Sequence, residues 1–246
     1  MEGRFGAPVT GWVPPGWPGA PVIEGRLVRL ERLDPARHAA DLHEANRADD
    51  RIWDYLAYGP FAEAADYRAW AEAMAPLSDP VFYAVVPKVS LRAAGVASYL
   101  RIAPDAGSVE VGHICLSPAL QGTAAATEAM FLMMDWVFSA GYRRYEWKCD
   151  ALNLPSRRAA ERLGFSFEGI FRQATVVKGR NRDTAWFAVI DKEWPTLRAA
   201  YQRWLDPANF GADLRQRLRL SDLTRPLLFR RDPLLAGDTG TGPGSG

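Results

Sequence analysis

The sequence predicts an α/β fold, built on one mixed, twisted β-sheet with helices on both of its faces. Apolar residues alternate at period two in several short segments, and in others they recur at helical spacing. The two kinds of segment succeed one another along the chain, which indicates layers of sheet and helix. Within residues 108–151 a strand, a helix and a second strand follow in turn, and such a crossover makes the two strands parallel.

Turn and cap residues set the limits of the predicted elements. Asp34 and Pro35 open the first helix, and Gly141 and Gly164 end two later ones. The last two strands are expected to flank the polar turn "RNR" at 180–182. The predicted strands are 25–33, 81–87, 93–102, 108–117, 144–151, 167–179 and 183–194, and the predicted helices are 34–47, 63–75, 124–140, 154–164 and 194–205.

Charge and composition argue against several classes of protein. With 30 basic and 29 acidic residues the net charge is +1, so nothing draws the chain as a whole to nucleic acid or to an anionic membrane. The sequence lacks a run of about 18 apolar residues, and its N-terminus lacks the basic and apolar regions of a signal peptide. We therefore expect a cytoplasmic protein that acts without nucleic acid or membrane.

Cysteine and histidine usage predicts neither a disulfide framework nor a metal site. Cys115 and Cys149 lie in separate strand-like runs without C-x-x-C spacing, so they are expected to be buried, reduced thiols. His38 and His43 lie five residues apart on a predicted helix, which is not the spacing that one helical face needs. No metal is therefore expected.

Three regions are predicted along the chain: an arm at 1–22, rich in proline, glycine and tryptophan, a domain at 23–205, and an extension with a flexible tail at 206–246. The arm's tryptophans, Trp12 and Trp17, are expected to pack on the domain. Arginine and leucine alternate in the extension, which suits an amphipathic surface or a partner contact better than nucleic-acid binding. The predicted state is a monomer or a homodimer, since the two terminal regions could pair subunits.

The segment "LSPALQGTAAATEAM" at 116–130 places unusually small side chains at the start of a predicted helix. Alanine is a strong helix former, so an ordinary helix start is one interpretation. A helix start also carries unpaired N–H groups and the positive end of the helix dipole, both of which attract phosphate. Side chains no larger than methyl would let a pyrophosphate approach those groups.

This segment, together with "DALNLPSRRAAERLGF" at 150–165 and the closing pair of strands, resembles the GCN5-related N-acetyltransferases (GNAT) over residues 24–192. The closer resemblance is to the RimJ/RimL-like branch, which includes the ribosomal-protein N-terminal acetyltransferases. It implies the GNAT fold, whose central parallel strands splay apart, and acetyl-CoA as the co-substrate. It also implies these acetyl-CoA contacts: Cys115, Leu116, Gln121, Gly122, Thr123, Ala124, Ala125, Ala126, Asn153 and Ser156.

Two residues depart from the family's pattern. Ala124 stands where glycine is usual, which would be costly only if its backbone needed a positive φ. We expect it to be helical and therefore harmless. Ala160 stands where many members carry a tyrosine that acts as the acid. Ser156 is the substitute that the resemblance suggests, with its hydroxyl on the departing sulfur; a helix N-cap is the equally weighted alternative.

Glu110 is the first candidate for the base that takes the proton of the acceptor amine, because many family members carry a glutamate on this strand. Its alternative role is to pair with an arginine such as Arg101. His113 is the second candidate, with a packed core histidine as the alternative. Strand alternation puts the two on opposite faces unless a β-bulge intervenes, and the resemblance implies such a bulge.

The acceptor cleft is expected between the first two helices and the closing strands. An aromatic loop there carries Trp53, Tyr55 and Tyr58, each of which could contact a substrate or simply pack in the core. Asp150, which ends a strand, is a further candidate contact for the amine. The resemblance implies an N-acetyltransferase that acts on the α-amine of a protein, peptide or aminoacyl compound. The alternatives are a small toxic or antibiotic amine as acceptor, or a non-catalytic protein that binds acyl-CoA.

Overall fold

A computed structural model describes residues 5–212 and 215–235. The strands are β1 Val22–Glu24, β2 Val28–Arg32, β3 Val81–Pro87, β4 Gly95–Ala103, β5 Ser108–Leu116, β6 Arg144–Asp150, β7 Ser166–Val177 and β8 Arg180–Ile190. The helices are α1 Pro35–Asn46, α2 Ala64–Met74, α3 Ala124–Ser139, α4 Leu154–Arg162, α5 Trp194–Leu205 and α6 Leu220–Thr224. The strands form one sheet in the order β1-β2-β3-β4-β5-β6-β8-β7.

The pairing of strands confirms the predicted mixed sheet. β5 and β6 run parallel, while the other neighbouring pairs are antiparallel. One apolar core lies between the sheet and α3 and α5, and a second lies beneath α1 and α2 on the opposite face. Helices therefore cover both faces, as the sequence predicts.

Two predicted boundaries are wrong for local reasons. The strand predicted at 25–33 begins only at Val28, because the N–H groups of Arg26, Leu27 and Val28 donate to the buried carboxylate of Glu128 on α3. The turn predicted at 180–182 instead follows β7 directly, at residues 178–179, where φ is +48° and +73°. A two-residue hairpin turn of type I′ needs positive φ at both positions, and the Lys-Gly pair supplies it.

The parallel strands splay apart. β5 and β6 pair from Ser108 with Arg144 to Val111 with Trp147. Beyond that point β5 stays paired with β4 as far as Leu116, and β6 stays paired with β8 as far as its last residue. The edges that the two strands turn towards each other are therefore separated at this end of the sheet, which we call the splayed gap.

Both terminal regions contact the domain. The half-buried Trp12 lies against Gly107, and its ring centroid is 5.4 Å from the guanidinium carbon of Arg143. Trp17 stays 48% exposed, although its Nε1 donates to the Ser78 carbonyl. Residues 215–235 pack against α4, α5 and β7. The glycine-rich tail predicted to be flexible lies outside the described residues.

In the part of the chain that the structure describes, no helix is long and apolar enough to cross a membrane. The same residues hold no group of three or more histidine, cysteine or acidic side chains placed to bind a metal ion. Cys115 and Cys149 are both buried, free thiols, as predicted.

Candidate active site

Helix α3, which follows β5, begins with two N–H groups that have no acceptor among the described residues. Thr123 is the N-cap, and its Oγ1 accepts from the N–H of Ala126 at 3.1 Å. Its carbonyl accepts from the N–H of Thr127 at 3.2 Å. The N–H groups of Ala124 and Ala125 remain, at half-buried positions beside the splayed gap. This helix start can therefore donate to an anion.

The loop before α3 leaves space for an anion at the start of the helix. Gly122 carries the positive φ, +72°, and nothing lies within 4 Å of where a Cβ would stand. Ala124 is the first helical residue, as expected, so its backbone needs no positive φ. The exposed Gln121 does not point to the helix start: its Nε2 donates to the carbonyl of Leu116 at 2.9 Å.

Helix α4, which follows β6, begins in a closed form. Asn153 is its N-cap, and its Oδ1 accepts from the N–H of Ser156 at 3.0 Å. The N–H of Leu154 donates to the Leu152 carbonyl at 2.9 Å, and Pro155 has no N–H. The capping role considered for Ser156 therefore belongs to Asn153, because a cap must precede the first helical turn.

The Ser156 hydroxyl lies in the first turn of α4 and already accepts one hydrogen bond. Its Oγ accepts from Nε1 of Trp147 at 3.0 Å, which leaves its own proton available for donation. The thiol of Cys149 is also within its reach, although burial raises the pKa of that thiol to about 11. Ser156 is half-buried and lies on the side of the splayed gap that β6 and α4 form.

A bulge in β5 brings the two candidate bases to one face of the sheet. Val96 pairs with Cys115, yet Ser98 pairs with Gly112, so β5 holds an extra residue between them. That residue is His113, whose φ is +50°. The simple alternation, which separates Glu110 from His113, is interrupted here. The bulge that the resemblance implies is present.

His113 lies in an aromatic setting. Its Nδ1 is 3.2 Å from the Tyr58 hydroxyl, and its ring stacks on the Tyr58 ring with centroids 5.7 Å apart. The Phe82 ring also contacts the imidazole, with centroids 5.0 Å apart. Burial, and secondly the charge of Arg101, lower the pKa of His113 to about 4. The imidazole is therefore neutral near pH 7.

Glu110 is held by cations. The carboxylate is 3% exposed and accepts from Arg101 at 2.7 Å, which is the alternative partner that the sequence suggested. Lys148 lies 2.8 Å from the same oxygen and also pairs with Glu146 at 2.7 Å.

The aromatic loop carries both buried and exposed side chains. Trp53 is 3% exposed and packs against Phe61, so it is a core residue. Tyr58 contacts His113, whereas Tyr55 is 37% exposed and donates to the Leu152 carbonyl at 3.3 Å. Asp150 accepts from the N–H of Leu152 at 2.8 Å and so shapes the turn after β6.

Sequence reasoning missed three residues that line the same face. Lys148 lies 3.7 Å from the centroid of the Trp186 ring, and Trp186 stacks on the half-exposed Phe171 at 4.4 Å. Glu146 and Lys148 lie two residues apart on β6 and therefore share a face of the strand. That spacing could have suggested a polar face. The contact between Trp186 and Phe171 depends on hairpin register, which the misplaced turn concealed.

The chain belongs to the GNAT acetyltransferase family, since the family model for the acetyltransferase (GNAT) domain matches residues 28–166, more than half of the sequence. A GCN5-related N-acetyltransferase from Brucella melitensis is 46% identical with a TM-score of 0.86, over 88% of this chain and 99% of that one. A GNAT-family protein from Chromobacterium violaceum is 42% identical with a TM-score of 0.74, over 78% and 96% of the two chains.

Among curated sequences, the uncharacterized N-acetyltransferase p20 of Bacillus licheniformis is 25% identical over 151 residues, which are 60% of this chain and 84% of p20. This membership makes the protein an acetyl-CoA-dependent N-acetyltransferase. RimL, an α-N-acetyltransferase of ribosomal protein L7/L12, is 24% identical with a TM-score of 0.60, over 73% of this chain and 99% of RimL. That likeness shows a shared fold.

Proposed function

We propose that this enzyme acetylates an α-amine, at the N-terminus of a protein or peptide or on an aminoacyl compound. The observation that carries the proposal is the weakness of His113 as a base, because burial holds its pKa near 4. The carboxylate of Glu110 is already engaged in ion pairs with Arg101 and Lys148. Such a site suits an acceptor that arrives already neutral. The RimJ/RimL-like assignment belongs to this proposal and rests on the fold shared with RimL.

The amine's own pKa decides how much base is needed. Free α-amines have a pKa of about 7.7–8.0 and lysine side chains about 10.4. At pH 7 about one α-amine in seven is therefore neutral, against about one lysine amine in 2,500. A site without a strong base loses little with the first class of acceptor and several hundredfold with the second.

The residues around the splayed gap fit acetyl-CoA. The N–H groups of Ala124 and Ala125 would hold the pyrophosphate at the positive end of α3. Gly122 lets that group approach because nothing fills the space beside it. The backbone of Cys115 and Leu116 would pair with the pantetheine arm along the free edge of β5, and Asn153 would flank it from α4.

The transfer is a direct attack in a ternary complex. The neutral amine forms the new C–N bond while the C–S bond of the thioester breaks. Ser156 holds the proton that the sulfur receives, and Nε2 of His113, directly or through water, takes the proton that the nitrogen loses. Nδ1 contacts the Tyr58 hydroxyl and therefore leaves Nε2 for this task. Glu110 is the competing base, and Glu110→Gln against His113→Gln would separate the two.

Two peptides of one sequence test the acceptor class. One has a free α-amine and an acetylated lysine, and the other has an acetylated N-terminus and a free lysine. Release of CoA thiol is measured from pH 6 to pH 10. We expect turnover with the first peptide, with kcat/KM rising to a plateau above about pH 8 as the α-amine loses its proton.

Other results would favour the other acceptors. Preferred turnover of the second peptide would contradict the proposal. Turnover only with antibiotic or toxic amines would favour a detoxifying enzyme. Acetyl-CoA binding in calorimetry without turnover of any amine would favour a non-catalytic acyl-CoA-binding role.

A further inference from the structure

The C-terminal segment, residues 215–235, lies outside the matched GNAT region, yet it is joined to the start of α4 by a buried ion pair. Arg157 of α4 is 1% exposed and Asp232 is fully buried. Nε and Nη2 of Arg157 donate to the two carboxylate oxygens of Asp232, each at 2.6 Å. This is a planar, two-bond contact, the geometry in which arginine binds a carboxylate most specifically.

The same guanidinium reaches the turn that carries the acetyl-CoA contacts. Nη1 of Arg157 donates to the carbonyl of Ala151 at 2.7 Å. Ala151 is the first residue after β6, and the N–H of Arg157 itself bonds the Asn153 carbonyl at 3.0 Å. Arg157 therefore links the end of β6 to the first turn of α4, the stretch that presents Asn153 and Ser156.

Asp232 and the residues before it are bonded to α4 and β7. Its N–H donates to Oε1 of Glu161 at 2.6 Å, so the residue bridges Arg157 and Glu161, which are four apart on one face of α4. Next to it, the Arg230 carbonyl accepts from the N–H of Phe167 at 2.9 Å, along the outer strand β7. The N–H of Phe229 donates to Oγ of Ser166 at 2.9 Å.

We propose that Asp232 is a positioning residue of the acetyl-CoA site, acting through Arg157 to hold the turn at 150–156 and, with it, the Ser156 hydroxyl. A buried guanidinium without its carboxylate would seek water and withdraw from the Ala151 carbonyl. The turn would then lose its side-chain bond to α4. This inference rests on the proposed function in one respect, the assignment of Asn153 and Ser156 to acetyl-CoA.

Four variants test the inference. Asp232→Asn keeps the shape and removes the charge. Arg157→Lys keeps the charge but cannot reach Asp232 and the Ala151 carbonyl together, and it serves if the first variant folds poorly. Thr224→Val is the matched control for a loosened segment, because Thr224 Oγ1 donates to the carbonyl of Arg162 at the far end of α4. Asp222→Asn removes an exposed acid of the same segment.

Hydrogen exchange without ligand is the first readout. We expect faster amide exchange across residues 150–158 in Asp232→Asn and Arg157→Lys, and native exchange there in Thr224→Val and Asp222→Asn. Native exchange at 150–158 in both of the first two variants would overturn the inference, and so would equal acceleration in Thr224→Val. This readout needs neither acetyl-CoA nor an acceptor, so failure of the proposed function leaves it intact.

Calorimetry and kinetics give the second readout. In Asp232→Asn the Kd and KM for acetyl-CoA should rise about tenfold or more, because a displaced contact costs affinity, while the KM for the amine stays within about twofold. The double variant Ser156→Ala/Asp232→Asn should have the kcat of Ser156→Ala alone. Unchanged Kd and KM for acetyl-CoA in Asp232→Asn would contradict a positioning role, and so would a double variant whose kcat falls well below that of Ser156→Ala.

Discussion

The two helices that follow the splayed strands begin in opposite ways. α3 leaves the N–H groups of Ala124 and Ala125 open, because the side chain of its cap, Thr123, accepts only from the N–H of Ala126. In α4, the N–H groups of the first turn are either bonded or, at Pro155, missing. The difference teaches that α3 can hold an anion with its backbone, whereas α4 can contribute only a side chain, the Ser156 hydroxyl.

The largest effect on activity should come from removing the Ser156 hydroxyl of α4. Ser156→Ala removes the proposed proton donor for the leaving sulfur, and general acid catalysis contributes about 10²–10⁴ in rate. We expect kcat to fall about 10²-fold, measured as CoA thiol release at saturating acetyl-CoA. Ser78→Ala, an exposed serine in the loop before β3, is the control. A kcat within threefold of the wild type would remove Ser156 from the mechanism.

The role of the α3 backbone is tested by removing one of its two open N–H groups. Ala124→Pro deletes the donor at the first helical position, where proline is well tolerated. The preceding Thr123 has φ −83° and ψ 161°, which suits a residue before proline. Loss of a hydrogen bond to a charged group costs about 1.5–3 kcal/mol, so acetyl-CoA should bind about ten- to a hundredfold more weakly in calorimetry.

The matched change in α4 is Pro155→Ala, which adds an N–H at the closed helix start. We expect the affinity for acetyl-CoA to stay within about twofold, because that helix start holds no anion in this account. Equal weakening in Ala124→Pro and Pro155→Ala would break the comparison, since both starts would then act alike on the cofactor.

The lowered pKa of His113 should make the free energy of unfolding depend on pH. Its folded pKa of about 4 lies below the value of about 6.5 expected in the unfolded chain. The unfolded state therefore binds more protons in this window, and the free energy of unfolding should fall as the pH drops from about 6.5 to about 4. His113→Gln should reduce that slope in urea titrations without abolishing it, because burial also lowers the pKa of His38.

The smallest effect is expected from Gln121. Its side chain is exposed, and its bond to the Leu116 carbonyl joins the loop to the end of β5. An exposed hydrogen bond contributes only about 0.5 kcal/mol, so Gln121→Ala should change the acetyl-CoA KM about two- to threefold. A change of more than about tenfold would mean that Gln121 itself contacts the ligand.

Local patterns predicted the fold because its elements are bounded by local chemistry. The last predicted helix, 194–205, coincides with α5, whereas the bulge at His113 is implied by the family resemblance. Glu110 and Arg101 were paired from neighbouring strands alone. Arg157 and Asp232 could not be paired in this way, because 75 residues separate them and no periodicity links the two segments.

The cap of α4 stays undecided at the level of sequence for a related reason. Serine, asparagine and aspartate all serve as N-caps, and the sequence "NLPS" offers two of them three residues apart. Only the backbone decides: Asn153 lies outside the helix and Ser156 within it. That assignment frees the serine hydroxyl for chemistry, which the sequence alone left undecided.

The central claim is that acetyl-CoA held across the splayed gap is attacked by an α-amine. The most direct test offers the enzyme one peptide that carries both a free α-amine and a free lysine, at pH 7.5, and locates the acetyl group by fragment mass spectrometry. This account predicts an acetyl group on the N-terminal nitrogen, and a much lower yield of that product with Ser156→Ala than with the wild type. Acetyl on the lysine side chain would contradict it.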